Sequence, residues 1–300
     1  MNLPMIKKKT YFMVLPSTGK KVKYHAMDAG TEKKIGQIKE GYRAVFENLG
    51  KSDLSEDELK LEFSKQMKDL TTDVFREFAH CFPSLNMHEV TEGDFEAMQI
   101  ELKRRCVDNK LSLQVSCPKC GTDNTVNLDL DTVKLKNVPT SKDITLDDGS
   151  ILTLRHIPMH EGTMNMDLTD EVSAEYDYIV NAFATLRYKV DNNFDDIDMT
   201  KYKFEDKVAW ADQSINIEHK KEILDFLSEA PGIEPIELSV KACKHKTLDG
   251  KSVPDDPTFI SNMIKKQMAE DPDGVPIMQR IESCNNSYTA KVYSLSQFFF

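Results

Sequence analysis

The chain has 300 residues, 40% of them apolar and 30% charged, with 50 acidic against 39 basic side chains and a formal net charge of −11. That length suits two domains, or one large one, with a well-filled core, and no apolar run approaches the ~18 residues that a membrane helix needs. So acidic a surface repels polyphosphates and argues against direct nucleic-acid binding, while six thinly spread cysteines suit free thiols or metal ligands in a reducing compartment. The stretch after Lys7-Lys8-Lys9 is too short for the apolar region of a signal peptide, so the protein is expected to stay in the cytosol where it is made.

Tyr11–Pro16 and Lys21–Tyr24 flank Ser17-Thr-Gly-Lys20, which predicts an opening β-hairpin with a glycine turn. Leu15-Pro-Ser-Thr-Gly19 matches a sortase pentapeptide but has neither the C-terminal position nor the apolar anchor of that signal. Gly19-Lys20 lacks the upstream glycine and the Ser/Thr of a phosphate loop, so both read as a plain turn. Thr31–Leu49 is a helix candidate, and Ser55-Glu-Asp-Glu58 is a capping box opening a stronger one. Leu59, Phe63, Met67, Leu70, Val74 and Phe78 fall on one face of that helix, and Pro83 stops it. His80 and Cys81 near its end are expected to be buried or to cap. A third helix follows Thr91 with Phe95, Met98, Leu102 and Cys106 on one stripe, which makes Cys106 a small core hydrophobe.

Next comes the most informative stretch. Leu111, Leu113 and Val115 alternate, Cys117-Pro-Lys-Cys120-Gly121 follows, and alternation resumes at Val126, Leu128 and Leu130. This is a β-hairpin closed by two thiols, the half-site of a zinc ribbon, in which two thiolates converge on one tetrahedral metal at about 2.3 Å while Pro118 and Gly121 shape the turn. One such knuckle supplies two of four ligands. Farther on, Ile236, Leu238, Val240 and His245 repeat the spacing of Leu111, Leu113, Val115 and Cys120, so that Cys243-Lys-His245 echoes the knuckle with a one-residue slip of the first thiol. The pattern reads as a degenerate internal duplication of helix, strand, knuckle and return strand, with the second return arriving late, at Tyr288–Phe300. Zinc would be held by Cys117 and Cys120 with partners among Cys243, His245 and Cys284.

Between the two knuckles, Ile144–Leu146 and Ile151–Arg155 around Asp147-Asp148-Gly149 predict another hairpin. His156 and His160 follow, but they lie too far from Cys117 and Cys120 for a zinc finger and are expected to be solvated strand-end histidines; His160-Glu161 also lacks the second histidine of an HExxH helix. From Thr169 the period turns helical through Val172, Tyr176, Ile179, Phe183 and Leu186. The acidic Asp191–Asp198 lacks the glycine and terminal glutamate of a calcium loop and reads as a solvated linker. Phe204–Ala211, with the only tryptophan, and Glu218–Ala230 are helices, the latter ended by Pro231-Gly232. Thr258–Ala269 is an amphipathic helix broken by Asp271–Pro276. Phe298, Phe299 and Phe300 would each contribute roughly 1.5–3 kcal/mol on burial, so they are expected to dock on this chain's own ribbon or on a partner.

The elements imply an α+β fold of helical bundles with small antiparallel β-hairpins, one a degenerate zinc-ribbon-like element, in four regions: 1–110 (hairpin and helices), 111–165 (knuckle-bearing β region), 166–235 (helical) and 236–300 (second ribbon, helical insertion and aromatic tail). No nucleophile elbow, phosphate loop, dinucleotide glycine signature or kinase motif is present, which points to a non-enzymatic structural or assembly protein.

Several features in this order resemble the T4-type bacteriophage baseplate hub protein family: Leu15-Pro-Ser-x-Gly19, the helices, Cys117-Pro-x-Cys-Gly121 before Leu128-Asp-Leu130, the Asp147-Asp-Gly-x-x-Leu152-x-Leu154-Arg155 strand, a closing knuckle and a terminal Phe-Phe. The resemblance implies a late phage protein, made in the host bacterial cytoplasm, that builds the baseplate hub or enters the virion tail with it. Its partners would be other baseplate or hub proteins, with neither nucleic acid nor a membrane span involved. The chain departs from the pattern at Cys243-Lys-His245, where a regular CxxC is replaced and a long insertion follows. Two alternatives have their own requirements: a zinc-ribbon adaptor for nucleic acid or a host protein needs a basic face, and a metal-dependent hydrolase needs an open coordination position.

Overall fold

The computed structural model describes residues 8–106, 108–162, 176, 178–190, 193–243, 245–248, 251–253, 257–270 and 277–295. In chain order its first half runs β1 (Thr10–Val14), β2 (Lys21–His25), α1 (Ala29–Leu49), α2 (Glu56–Ala79), α3 (Glu92–Cys106), β3 (Lys110–Ser116), β4 (Asp123–Asp129), β5 (Ser141–Thr145) and β6 (Ile151–Arg155). The second half runs β7 (Phe183–Val190), β8 (Asn193–Asp198), α4 (Phe204–Ser214), α5 (Ile217–Ser228), β9 (Ile236–Val240), β10 (Lys246–Leu248), β11 (Lys251–Ser252), α6 (Pro257–Glu270), α7 (Ile277–Arg280), β12 (Ile281–Ser283) and β13 (Tyr288–Val292). The fold is α+β, with small antiparallel sheets. Two compact units divide the chain, and each is discontinuous in sequence: one draws on Met1–Val107 and Lys134–Ile233, the other on Asp108–Val133 and Glu234–Phe298.

The first unit is built on α3. Thr91 caps this helix, its Oγ1 accepting from the Asp94 N–H, while the Asp94 carboxylate accepts from the Thr91 N–H at 3.1 Å and completes a reciprocal box. The same carboxylate accepts from the Ser17 N–H at 2.9 Å and from the Ser17 hydroxyl, so the β1–β2 turn is tied to the helix start. This explains the Leu15–Gly19 stretch: Leu15 and Ser17 are buried and Gly19 sits at φ +66°, where only glycine is unstrained. Tyr24 stacks on Phe82 at 5.3 Å, and Phe75 and Phe78 both meet Phe95 edge-on. α1 and α2 pack together. Asp28 caps α1 and the expected Ser55–Glu58 box caps α2. Near the base of the pair Ile35, Val74 and Phe78 are buried, whereas Leu61 and Phe63 nearer the tip stay 49% and 48% exposed. Cys81 and Cys106 join this core, where burial pushes the Cys81 thiol up to about 11.

The same unit holds a four-stranded antiparallel sheet, β5-β6-β7-β8, whose buried Ile144, Leu152, Leu154 and Phe183 cluster with Ile223, Phe226 and Leu227 of α5. Three expectations are corrected here. Phe183 and Leu186 belong to strand β7, not to a helix; Tyr176 and Ile179 are helical as expected, but the helical residues, 176 and 178–181, end before β7, and Val172 lies outside the described residues. The i, i+3 spacing of these two residues arises instead from a register shift opposite Thr153 and Leu154 in the pairing of β6 with β7. The acidic 193–198 stretch is strand β8, an edge strand whose carboxylates face solvent and whose Asp196 pairs with Arg187 at 2.8 Å. His156 is buried at 7% exposure, stacked on Phe226 at 4.6 Å, with Nε2 donating to the Pro139 carbonyl. His160 is half-buried against His88.

Close approach at the N-terminus of α3 leaves no room for a side chain at Gly93, because a Cβ there would stand 2.1 Å from the Pro231 carbonyl oxygen. Gly41, inside α1, has nothing within 4 Å of a built Cβ. Gly93→Ala is therefore expected to lower unfolding stability by about 1–3 kcal/mol through overpacking, whereas Gly41→Ala should be neutral or raise it by up to ~1 kcal/mol. Urea midpoints of the two variants against wild type check this; equal midpoints for the two alanines would contradict the packing.

In the second unit β3 pairs with β4 in register from Lys110↔Asp129 to Ser116↔Asp123, and β9 pairs with β13 from Ile236↔Val292 to Val240↔Tyr288. β4 runs beside β9, and Leu111, Leu113, Val115, Leu128, Leu238, Val240 and Val292 are buried. The described residues of 246–283 form an arm between β9 and β13, with β10 at the centre of a three-stranded sheet paired to β11 and β12. Phe298, Phe299 and Phe300 lie outside the described residues.

Candidate metal centre

The sulfurs of Cys117, Cys120, Cys243 and Cys284 all lie within 4.8 Å of one another. Cys117 and Cys284 are separated by 3.7 Å, as are Cys120 and Cys243. A tetrahedron with metal–sulfur bonds of about 2.3 Å has edges of about 3.8 Å, so the spacing is that of a four-thiolate shell. Three of the four residues are buried and all four cysteines are free. These closely spaced sulfurs can hold a metal ion.

Two turns of the same design build the cluster. In the first, the Cys117 N–H donates to the Thr122 carbonyl at 2.9 Å, and the Gly121 N–H donates to the Cys117 carbonyl at 2.8 Å. In the second, the Cys243 N–H donates to the Asn286 carbonyl at 2.9 Å, and the Asn285 N–H donates to the Cys243 carbonyl at 3.0 Å. Gly121 at φ +71° and Asn285 at φ +46° occupy the same left-handed position, and Asn285 is the sole non-glycine with positive φ among the described residues. Cys120, Gly121, Thr122, Asn124 and Leu128 thus recur at the same spacing as Cys284, Asn285, Asn286, Tyr288 and Val292. The second knuckle is a CxxC-like turn opened by the arm 246–283, whose base is closed by β10–β12 and by the Cys284 N–H donating to the His245 carbonyl at 2.8 Å.

This arrangement relocates one residue of the sequence reading. His245 matches Cys120 by spacing, yet it is not among the four converging groups; its Nε2 donates to the Asp123 carbonyl at 2.9 Å. The arm begins at that point in the chain, so the thiol that pairs with Cys243 comes from Cys284 beyond it. Asn124, Asn286 and Tyr288 were not singled out by sequence. Asn124 Nδ2 lies 3.5 Å from Cys243 Sγ and Asn286 Nδ2 lies 3.6 Å from Cys117 Sγ, both as donors. Tyr288 accepts from Asn124 and donates to the Val115 carbonyl at 2.9 Å, joining the two hairpins. The signal for the second turn was the Cys284-Asn-Asn run, since asparagine is the residue that best replaces glycine in the left-handed region, where Asn285 sits.

The electrostatics follow from burial and these donors. Burial pushes the Cys117 thiol up, but the Cys120 and Lys119 N–H groups and the Asn286 amide outweigh it and bring it down to about 6. At Cys284 burial dominates and, with the neighbouring cysteines, pushes the thiol up to about 11. Cys117 thus ionises more readily than an ordinary thiol while Cys284 resists, and like charges at this distance oppose each other unless a cation sits between them.

Four cysteines clasping two hairpins make this an α+β protein with a candidate metal site. The chain belongs to the family described as T4 bacteriophage base plate protein, whose model matches residues 8–254. Cys117, Cys120 and Cys243 fall inside that match and Cys284 beyond it. No curated protein and no solved structure matches the chain. No helix among the described residues is long and apolar enough to cross a membrane.

The left-handed position generates a test of the turn design. Asn285→Val is expected to destabilise the second unit by roughly 1–3 kcal/mol, since a β-branched residue is strained at positive φ, and Asn285→Gly should leave it near wild type. Hydrogen exchange in β9 and β13 reads the effect, and equal protection in the two variants would refute the correspondence with Gly121.

Proposed function

We propose that this chain is a non-enzymatic component of the phage tail baseplate hub, or a factor that assembles the hub, acting through contacts with other baseplate or hub proteins. The observation that carries the reading is the family match over residues 8–254. Membership supports partners among phage proteins and a place in the virion tail; synthesis and assembly would be in the host bacterial cytoplasm. The exposed Leu61 and Phe63 near the α1–α2 tip are the kind of surface that an assembly protein keeps for a neighbour. Phage lacking this chain is expected to accumulate heads but no complete baseplates in electron micrographs, and intact baseplates would refute the role. Mass spectrometry of purified particles then separates component from assembly factor by whether peptides of this chain are present.

We further propose that Cys117, Cys120, Cys243 and Cys284 hold one structural zinc ion. Four thiolates at tetrahedral spacing suit zinc, and a shell already complete leaves no position for a nucleophilic water, which argues against a metal hydrolase. Wild-type protein purified in reductant with metal present should carry about one zinc per chain. Cys120→Ser and Cys284→Ser should drop below ~0.3, and His245→Ala should retain the metal. Wild type below that level by elemental analysis would sink the proposal.

A further inference from the structure

The first unit contains a cleft of about 820 Å³ between the β7–β8 side of the sheet, the β5–β6 turn and α4. It is lined by Leu186, Ile197 and Met199 and by the aromatic rings of Tyr188, Tyr202 and Trp210. Trp210 is braced edge-on by the fully buried Phe183 at 5.7 Å, and Tyr202 is left 49% exposed. Aromatic and methionine side chains held rigid in a concave surface are the composition of interface centres.

The charge around this apolar pit has one sign. Asp147, Asp148 and Asp206 line the cleft and are exposed. Asp148 is kept ionised by the Ser150 N–H at 2.8 Å and the Ser150 hydroxyl at 3.0 Å. Asp147 accepts from Asn216 Nδ2 and faces His219 at 3.7 Å, with 81% of its own side chain in solvent. The cation of the lining, Lys207, does not offset them: it is 4% exposed, its amine is turned toward Asn181 Oδ1 at 3.5 Å, and burial lowers its pKa. One further feature suits an extended visitor: β8 pairs with β7 on one side and has no strand on its other edge among the described residues.

We propose that this cleft docks a segment of a partner protein that places an aromatic or aliphatic side chain in the pit and flanking Lys or Arg residues against Asp147, Asp148 and Asp206. The carboxylate rim repels phosphate-bearing ligands and selects cationic ones. The proposal rests on the assembly reading only for the source of the segment, so a failure here leaves the baseplate phenotype standing, and the reverse also holds.

Trp210 is the single tryptophan of the chain, so its emission reports occupancy directly. The full-length protein is titrated with a pool of blocked hexapeptides carrying one central aromatic or leucine flanked by Lys and Arg, and with the same pool carrying Glu and Asp instead. A saturable change in Trp210 emission is expected for the cationic pool, at least about 10-fold weaker for the acidic one. Asp147→Asn with Asp148→Asn should weaken it by roughly 3- to 10-fold, and added salt should reduce it similarly. Tyr202→Ala, an exposed position, should weaken both arms without unfolding the protein. No saturable change up to about 1 mM, equal response to the two pools, or equally tight binding of blocked Phe-Leu alone as an uncharged small molecule would each overturn the proposal.

Discussion

Four thiols brought within 4.8 Å of one another, unbonded and mostly buried, are the constraint around which the second unit is organised. Thiolates so placed repel one another unless a cation sits between them; N–H and amide donors pull the Cys117 thiol down while burial and its neighbours push Cys284 up. Each pair of ligands comes from one hairpin, and the hairpins are far apart in sequence. The cluster, together with the Tyr288 hydroxyl bridging Asn124 and Val115, is therefore what makes residues 108–133 and 234–298 behave as one body. The arm 246–283 can leave from inside the second turn because its own β10–β12 pairing closes the base, so that the turn's hydrogen bonds match those of the uninterrupted one.

In the first unit a buried carboxylate plays the corresponding part. Asp94 is fully buried and accepts from the Thr91 backbone and from both the backbone and hydroxyl of Ser17, so its desolvation is compensated and two remote segments are tied together. Immediately before it, Gly93 admits the Pro231 carbonyl against the helix. Adjacent residues thus hold the opening hairpin and the end of α5 against α3. The α1–α2 tip and the aromatic cleft are thus presented on fixed elements.

Much of this was legible in the chain. The capping box at Ser55, the stripe Phe95–Met98–Leu102, the knuckle hairpin at 111–130, the hairpin around Gly149 and the amphipathic helix after Pro257 are local patterns, and local chemistry suffices to set them. The misreadings have a common cause. Phe183 and Leu186 show helical spacing only because a register shift within β7, which leaves Ala184 unpaired with β6, puts both on the buried side, and the acidic run at 193–198 becomes a strand because β7 offers it a partner. His156 is buried because Phe226 and the Pro139 carbonyl receive it.

The sequence by itself determined the class of fold, the two-thiol knuckle and the family to which the chain belongs, because these rest on residue types at short, regular spacings. Only the tertiary structure decided which groups complete the cluster: spacing favours His245 as the counterpart of Cys120, but the thiol that arrives is Cys284. The physical reason is that a hairpin's register and a left-handed turn residue, here Asn285 standing where Gly121 stands in the first turn, are set by hydrogen bonding in space, while the long stretch of chain between Cys243 and Cys284 hides the second turn from the linear pattern.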